Sequence, residues 1–371
     1  MSDSRHVYVH VPFCARRCSY CDFAIAVRRR VPVREFVRGV GGELAARAIA
    51  PHGVDSIYLG GGTPSRLGGD GVAALLDVVR DSCEPRSGAE ITIEVNPEDV
   101  SLADARTWVA AGVNRVSLGV QSFNDAVLAW MHRVHDAAAA VRAMTVLREA
   151  GLQDVSVDLI FAVPSTLERD WARDVEQALA LAPTHISLYG LTVESGTPLG
   201  RWTDRGTVHE APEESYEHEF LHAHRALTGA GFEHYEVSNY GLPGHRARHN
   251  SAYWRGVPYL GLGPSAHGYN GRERRWNQSA YANWQRLVDA GEDPLGGAEL
   301  LSNANRQAEA VYLGLRTNGG LEISDAERLL ARPWEDADWV SVSREGVLRC
   351  TAQGWLRLDS LAAILTAHRS P

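Results

Sequence analysis

An incomplete parallel α/β barrel followed by a small C-terminal α+β unit is the fold that this chain predicts. Three observations lead there. Six short β-rich runs alternate with longer helical patterns through the first two-thirds, the first strand runs into a loop holding three cysteines, and the second ends in a glycine triplet. Regular alternation of strand and helix implies parallel strands joined by right-handed crossovers. Eight βα units close a barrel, whereas the six counted here leave a partial (β/α)6 barrel open on one side, with functional groups expected at the strands' C-terminal ends.

The strand candidates are 6–11, 55–59, 90–95, 114–120, 154–160 and 184–190. Helical patterns are expected at 33–50, 70–82, 101–111, 124–150, 168–182 and 213–231. Val72, Leu75, Leu76 and Val79 show the apolar spacing that supports this reading. Beyond about residue 245 the chain reads as Gly- and aromatic-rich irregular segment, and helices return from about 299, at 304–318 and 324–331. Val347-Leu-Arg-Cys350 and Trp355-Leu-Arg-Leu358 flank Gln353-Gly354 like a small hairpin, before a last helix at 359–367. Such a tail is either of winged-helix type or an irregular helical cap. The expected division is a core over 1–245, a connecting segment over 246–298 and a C-terminal domain over 299–371.

At 371 residues the chain accommodates one large domain and a smaller one. Its 44% hydrophobic content suits a globular protein, and no apolar run approaches membrane-spanning length. A formal charge of −9 and a pI near 5.9 argue against a surface that coats nucleic acid. All 37 residues of the Lys and Arg type are arginine, which suits carboxylate recognition. The opening Met1-Ser-Asp-Ser-Arg-His6 leads straight into a strand, so no targeting segment is expected. Five cysteines without a secretion signal then point to a reducing, cytoplasmic compartment. Cys83 and Cys350 stand apart from the loop and read as ordinary buried thiols.

The run Tyr8-Val-His-Val-Pro-Phe-Cys-Ala-Arg-Arg-Cys-Ser-Tyr-Cys-Asp-Phe23 spaces Cys14, Cys18 and Cys21 as Cys-x3-Cys-x2-Cys. Three thiolates hold three corners of a [4Fe–4S] cubane and leave the fourth iron free for a substrate group. A structural zinc needs four ligands, and His10, the residue at hand, sits inside a strand and makes a poor fourth. A disulfide with a spare thiol fits a chain without a secretory signal less well. The next strand ends in Ser56-Ile-Tyr-Leu-Gly-Gly-Gly-Thr-Pro-Ser65. Gly60, Gly61 and Gly62, followed by Thr63, let backbone groups approach a ligand such as the amino and carboxylate groups of a methionine moiety.

Together the cysteine loop, with an aromatic before its last cysteine, and the glycine triplet resemble the radical S-adenosylmethionine (SAM) superfamily. The resemblance implies a partial radical-SAM barrel that binds a [4Fe–4S] cluster through Cys14, Cys18 and Cys21 and SAM beside Gly61, Gly62 and Thr63. Its open side would suit a large flat substrate. Further residues fit such a site. Glu94 ends a strand in Ile91-Thr-Ile-Glu94, where a carboxylate accepts from a ribose or amino group. Gln121, in Ser117-Leu-Gly-Val-Gln121, offers donor and acceptor, and Arg133 could clamp a carboxylate with its planar fork. Asp158 is a charge among apolar strand residues that is costly to bury alone, and ribose hydroxyls would partner it. In order along the chain these positions, with Tyr8 and Tyr20, resemble the SAM-contacting pattern of the coproporphyrinogen oxidase-like branch. That branch implies homolysis of SAM to a 5′-deoxyadenosyl radical, driven by an electron from the reduced cluster.

Two departures and one gain set the subfamily. Oxygen-independent coproporphyrinogen III oxidases carry a further cysteine where this chain has Phe23, and a long segment ahead of the cluster where this chain has thirteen residues before Cys14. The gain is His249-Asn-Ser-Ala-Tyr-Trp254, similar to the HNxxYW motif of HemW-type haem chaperones. Imidazole can ligate haem iron and aromatics can pack on the macrocycle, so His249, Asn250, Tyr253 and Trp254 are candidate haem contacts. His267 is a second candidate ligand, and Arg28-Arg29-Arg30 either meets haem propionates or forms a solvated patch. The resemblance implies a [4Fe–4S]- and SAM-binding haem chaperone that delivers haem to acceptor haemoproteins of the respiratory chain. No nucleic-acid partner and no transmembrane segment are expected; a homodimer and peripheral membrane contact stay open. The alternative is a working radical SAM enzyme, a coproporphyrinogen III dehydrogenase or a related methyltransferase.

Overall fold

A computed structural model describes residues 4–48 and 51–369. Six parallel strands pair in chain order: β1 (His6–Val11), β2 (His52–Gly61), β3 (Glu84–Val95), β4 (Arg115–Gln121), β5 (Asp154–Phe161) and β6 (His185–Gly190). The crossovers are α1 (Val33–Arg47), α2 (Gly68–Ser82), α3 (Leu102–Ala110), the pair α4 (Asp125–Trp130) and α5 (Ala137–Glu149), and α6 (Trp171–Ala180). After β6 come α7 (Pro198–Asp204) and α8 (Glu213–Gly229), then β7 (Glu233–Glu236) and β8 (Asn239–Gly241), with β8 antiparallel to both β6 and β7. The helix α9 (Arg248–Trp254) precedes β9 (Leu260–Leu262), which lies parallel to β1 on its far side. The nine-stranded order is β9-β1-β2-β3-β4-β5-β6-β8-β7, an open barrel as expected.

Strand residues alternate sides with period two, and here the two sides differ in chemistry. Val7, Ile57, Leu59, Ile91, Ile93, Val116, Leu118, Val155, Val157 and Ile186 belong to the buried apolar core. Their alternates are His6, Tyr8 and His10 on β1; Ser56 and Tyr58 on β2; Glu90, Thr92 and Glu94 on β3; Ser117 on β4; Ser156 and Asp158 on β5; and His185 on β6. Parallel strands buried on both faces usually read as continuous apolar runs. Alternation through the middle of the six strands therefore marks a polar interior, even though β5 ends in the apolar run Leu159-Ile-Phe161.

The structure corrects the expected elements at several points. The single helix over 124–150 is two helices, because Asn124 caps α4, Asp136 caps α5, and the break between them holds His132 at φ 60. The last two residues of the helix expected over 33–50 lie outside the described residues. The segment over 246–298, expected to be irregular, supplies α9, β9, a three-stranded antiparallel sheet of β10 (His267–Tyr269), β11 (Glu273–Asn277) and β12 (Leu295–Leu300), and α10 (Tyr281–Asp289). The tail is ordered as α11 (Asn303–Leu315), β13 (Leu321–Glu322), α12 (Asp325–Asp336), β14 (Val340–Val342), β15 (Val347–Cys350), α13 (Ala352–Trp355) and α14 (Leu358–Arg369). Its hairpin is β14–β15, one strand earlier than expected, with β13 on the other edge of β15. The Thr351 hydroxyl accepts from Gly354 N and starts a helix where the sequence suggested a turn. Helices packed with a three-stranded sheet make this an ordered α+β unit.

Candidate functional site

A cavity of about 450 Å³ opens at the C-terminal ends of the parallel strands, lined by the cysteine loop, the glycine triplet and residues from β3, β4, β5 and β6. The loop is closed by a short parallel ladder of Phe13–Cys14 with Ala26–Val27. Ser19 ties its middle to the barrel, donating its N–H to Met131 O and accepting from Leu199 N. Cys14, Cys18 and Cys21 all face the cavity. Thr63 Oγ1 donates to Cys14 Sγ at 3.5 Å, and the Arg133 guanidinium reaches Cys18 Sγ at 3.6 Å. Burial pushes the Cys14 thiol up and the Cys21 thiol up to about 11, so free thiols here resist ionisation and cationic metal would supply the compensating charge.

The glycines act through the space they leave. A Cβ on Gly62 would lie 2.7 Å from the Pro12 backbone and 3.0 Å from Cys14 Sγ, so only glycine lets the triplet abut the cysteine loop. Gly61 has φ 112, and its N–H donates to Glu94 Oε2 at 2.9 Å. Tyr58, not singled out from the sequence, donates its hydroxyl to Glu94 Oε1 at 2.8 Å. Burial pushes the Glu94 carboxyl up to about 7, opposed by those two hydrogen bonds and aided by the Asp158 charge. Asp158 accepts from Ser117 Oγ at 2.6 Å and Ser156 Oγ at 3.0 Å, and burial raises its pKa too. Gln121 sits in the cavity wall at φ 68, a left-handed conformation uncommon outside glycine, at an irregular step in the β4–β5 pairing. Arg133 donates to Asn96 Oδ1 at 2.7 Å and Gly119 O at 2.8 Å, while its buried Nε has no partner. Tyr20 lines the cavity, and Phe23, 57% exposed, stands at its mouth.

Other candidates lie elsewhere. Tyr8 is one layer deeper, with its hydroxyl 3.1 Å from His10 Nδ1 and its ring against Tyr58. His249, expected as a haem ligand, is 1% exposed, with Nδ1 2.7 Å from Ser56 Oγ and Nε2 2.8 Å from the Tyr253 hydroxyl. Both ring nitrogens are engaged, so this imidazole offers no lone pair to an incoming iron. Asn250 is half-buried on α9, and the Trp254 indole lies 4.8 Å under the Arg316 guanidinium. None of these four lines the cavity. His267, on β10, is exposed beside Trp276 of β11. Arg28, Arg29 and Arg30 are exposed, next to the Cys14 ladder and outside the cavity wall.

Residues 8–178 match the radical SAM superfamily. A protein named heme chaperone HemW from Mycobacterium tuberculosis is 38% identical over 348 residues, covering 92% of this chain and 88% of its own. The chain belongs to the HemW family. Its Escherichia coli namesake is 35% identical over 329 residues, 83% of this chain and 86% of that one. The solved structure of E. coli coproporphyrinogen III oxidase, HemN, superposes with a TM-score of 0.81 over 99% of this chain and 91% of its own, at 23% identity, a likeness of fold. Superfamily membership implies a [4Fe–4S] cluster and SAM. The residues fit both. Among the described residues no three His, Cys, Asp or Glu side chains gather around one metal position; the three sulfurs instead share a cavity wall, and in a cubane each thiolate takes a different iron. The glycine-stripped floor, the unpartnered Arg133 Nε and the two carboxylates suit a zwitterionic ligand carrying hydroxyls. No helix among the described residues is long and apolar enough to cross a membrane.

Proposed function

We propose that the protein is a haem chaperone that binds a [4Fe–4S] cluster on Cys14, Cys18 and Cys21, SAM in the adjoining cavity, and haem, which it passes to acceptor haemoproteins of the respiratory chain in the cytoplasm. The observation that carries the cofactor part is convergence: residues from the cysteine loop and from β2, β3, β4, β5 and the segment after α4 line one cavity. Haem comes from the family, whose named members are haem chaperones. When bound, the cluster supplies an electron to the SAM sulfonium.

The chain's own residues do the holding. Glu94 receives the amino group of SAM, and the Arg133 fork takes its carboxylate, which would also satisfy the orphan Nε. Asp158, already oriented by Ser117 and Ser156, and Gln121 meet the ribose hydroxyls. Tyr20 helps exclude water beside the cysteines. The division into a core over 1–245, a connecting segment over 246–298 and a C-terminal domain over 299–371 belongs to the same proposal. The alternative, oxidative decarboxylation of coproporphyrinogen III, is weakened by Phe23 at the cavity mouth.

Anaerobically reconstituted protein is titrated with haem and incubated separately with SAM, a strong reductant and coproporphyrinogen III. The proposal expects saturable haem binding by visible absorption, transfer of that haem to an apo-haemoprotein, and no decarboxylated porphyrinogen by mass spectrometry. Many turnovers of decarboxylation, or a loaded cluster with no haem uptake, would overturn it.

A further inference from the structure

The buried lower end of the barrel holds a polar cluster that the cofactor site does not use. His6 and Ser56 are paired in the β1–β2 register, and Ser56 in turn pairs with Glu90 across β2–β3. Into this layer α9 inserts: the backbone N–H groups of Arg248 and His249 both donate to the Glu90 carboxylate at 2.9 Å. The His249 ring stacks on Tyr58 with centroids 5.0 Å apart and planes 28° apart, while Tyr8 stacks on Tyr58 at 6.1 Å and 26°. Tyr58 is thus fixed by two rings, and its hydroxyl is the donor to the Glu94 carboxylate in the cavity. One step further along α9, the Arg316 guanidinium at the end of α11 covers Trp254.

We infer that His249 is a positioning residue of the SAM cavity, which braces Tyr58 and through it aims the Glu94 carboxylate, and that haem is ligated elsewhere. The inference rests on the SAM reading above. It follows from geometry: His249 is enclosed, both its nitrogens are used, and a contact chain leads from it to the cavity through the Tyr58 ring and hydroxyl. Ser56 Oγ, shared between His6 Nδ1 at 2.8 Å and His249 Nδ1, can donate to one and accept from the other, so a neutral imidazole satisfies the network in either tautomer. A side chain held by its own two hydrogen bonds, to Ser56 and Tyr253, and stacked on a ring that points into the cavity does what supporting residues of a binding site are known to do.

The test is a double-mutant cycle on reconstituted protein, read by equilibrium dialysis of SAM and by haem absorption. His249→Ala and Tyr58→Phe are each expected to weaken SAM binding about three- to tenfold, the effect of one lost ordering hydrogen bond, with iron and sulfide content unchanged. The double variant should be no weaker than the worse single variant, because both act on Glu94. His249→Gln, which restores a hydrogen-bonding side chain of similar reach, should recover part of the affinity. The haem spectrum should be the same in all four. SAM affinity unchanged in His249→Ala, additive losses in the double variant, or a haem spectrum altered in both His249 variants would overturn the inference. Failure of the unmodified protein to take up SAM would instead overturn the cavity reading beneath it.

Discussion

The two ends of the barrel interior are built from the same alternating strands and end up doing opposite things. At the lower end the named polar groups find protein partners: His249 pairs with Ser56 and Tyr253, His6 with Ser56, and Glu90 with two backbone amides. At the upper end the chain leaves capacity unused. Arg133 Nε has no partner, Gln121 is held in a left-handed conformation, and glycines hollow the floor. Residue type does not separate the two ends, because histidine, tyrosine and glutamate occur in both. Open space separates them: the lower cluster is closed on itself by protein partners, whereas Glu94, Asp158 and Arg133 border a cavity that a ligand can fill.

Breaking the upper end at its cysteines gives the largest effect. Cys18→Ser should abolish the visible absorption of the reconstituted cluster and leave the fold intact; a full iron and sulfide complement in that variant would break the assignment. Breaking the wall shared by both ends comes next. Leu118 is fully buried on the apolar side of β4, and Leu118→Ala should cost about 2–5 kcal/mol in urea unfolding. A loss under about 1 kcal/mol would mean that the outer face is not the packed layer described.

The ends should also answer pH in opposite senses. Burial, with His6 adding to it, lowers the His249 pKa to about 3. Its neutral form stabilises the fold fully above the ordinary imidazole value, and that contribution is lost as pH falls from there towards 3. The groups facing it are His6, Tyr8, Tyr58, Tyr253 and the Glu90 carboxylate. Between pH 6.5 and 5 this group alone should remove up to about 1.4 kcal/mol per pH unit, half of that at the upper end, and His249→Gln should flatten the slope in urea unfolding accordingly. An identical slope in the variant would place the titration elsewhere. Glu94 behaves in reverse: its folded-state pKa is raised to about 7, so the stability of the neutral form is full below the ordinary carboxylate range and is lost as pH rises through 7. A cationic amino group prefers the ionised form. SAM affinity should therefore rise between pH 5.5 and 7.5, by at most about tenfold per unit, with Tyr58, Tyr8, Tyr189 and Asp158 as the titratable neighbours. Glu94→Gln should remove that rise, and a rise that survives the substitution would assign it to another group.

Much of this was legible in the sequence, for reasons that differ from residue to residue. The six parallel strands were readable because each is bounded by helical periodicity. Cys14, Cys18 and Cys21, with Gly61 and Gly62, were readable because close spacing and missing side chains leave marks within a few residues. Tyr58, Ser117 and Asn96 were not, although the alternation Glu90-Ile-Thr-Ile-Glu94 and its counterparts carried the signal of a polar inner face. The role of the motif at His249 is not legible locally, for a physical reason. A histidine flanked by tyrosine and tryptophan has the same composition whether it faces a porphyrin or a buried serine, and only the long-range pairing with Ser56 and Glu90 decides. The break at His132 escaped notice because 124–150 carries helical patterning on both sides, and the left-handed step that turns Arg133 into the cavity is a tertiary event.

The most direct test of the account is a SAM titration of the anaerobically reconstituted, reduced protein followed by electron paramagnetic resonance. Binding of SAM at an open cluster corner held by Cys14, Cys18 and Cys21 predicts a cluster signal that shifts and saturates at one SAM per chain. A fully loaded cluster whose signal does not change at any SAM concentration would contradict it.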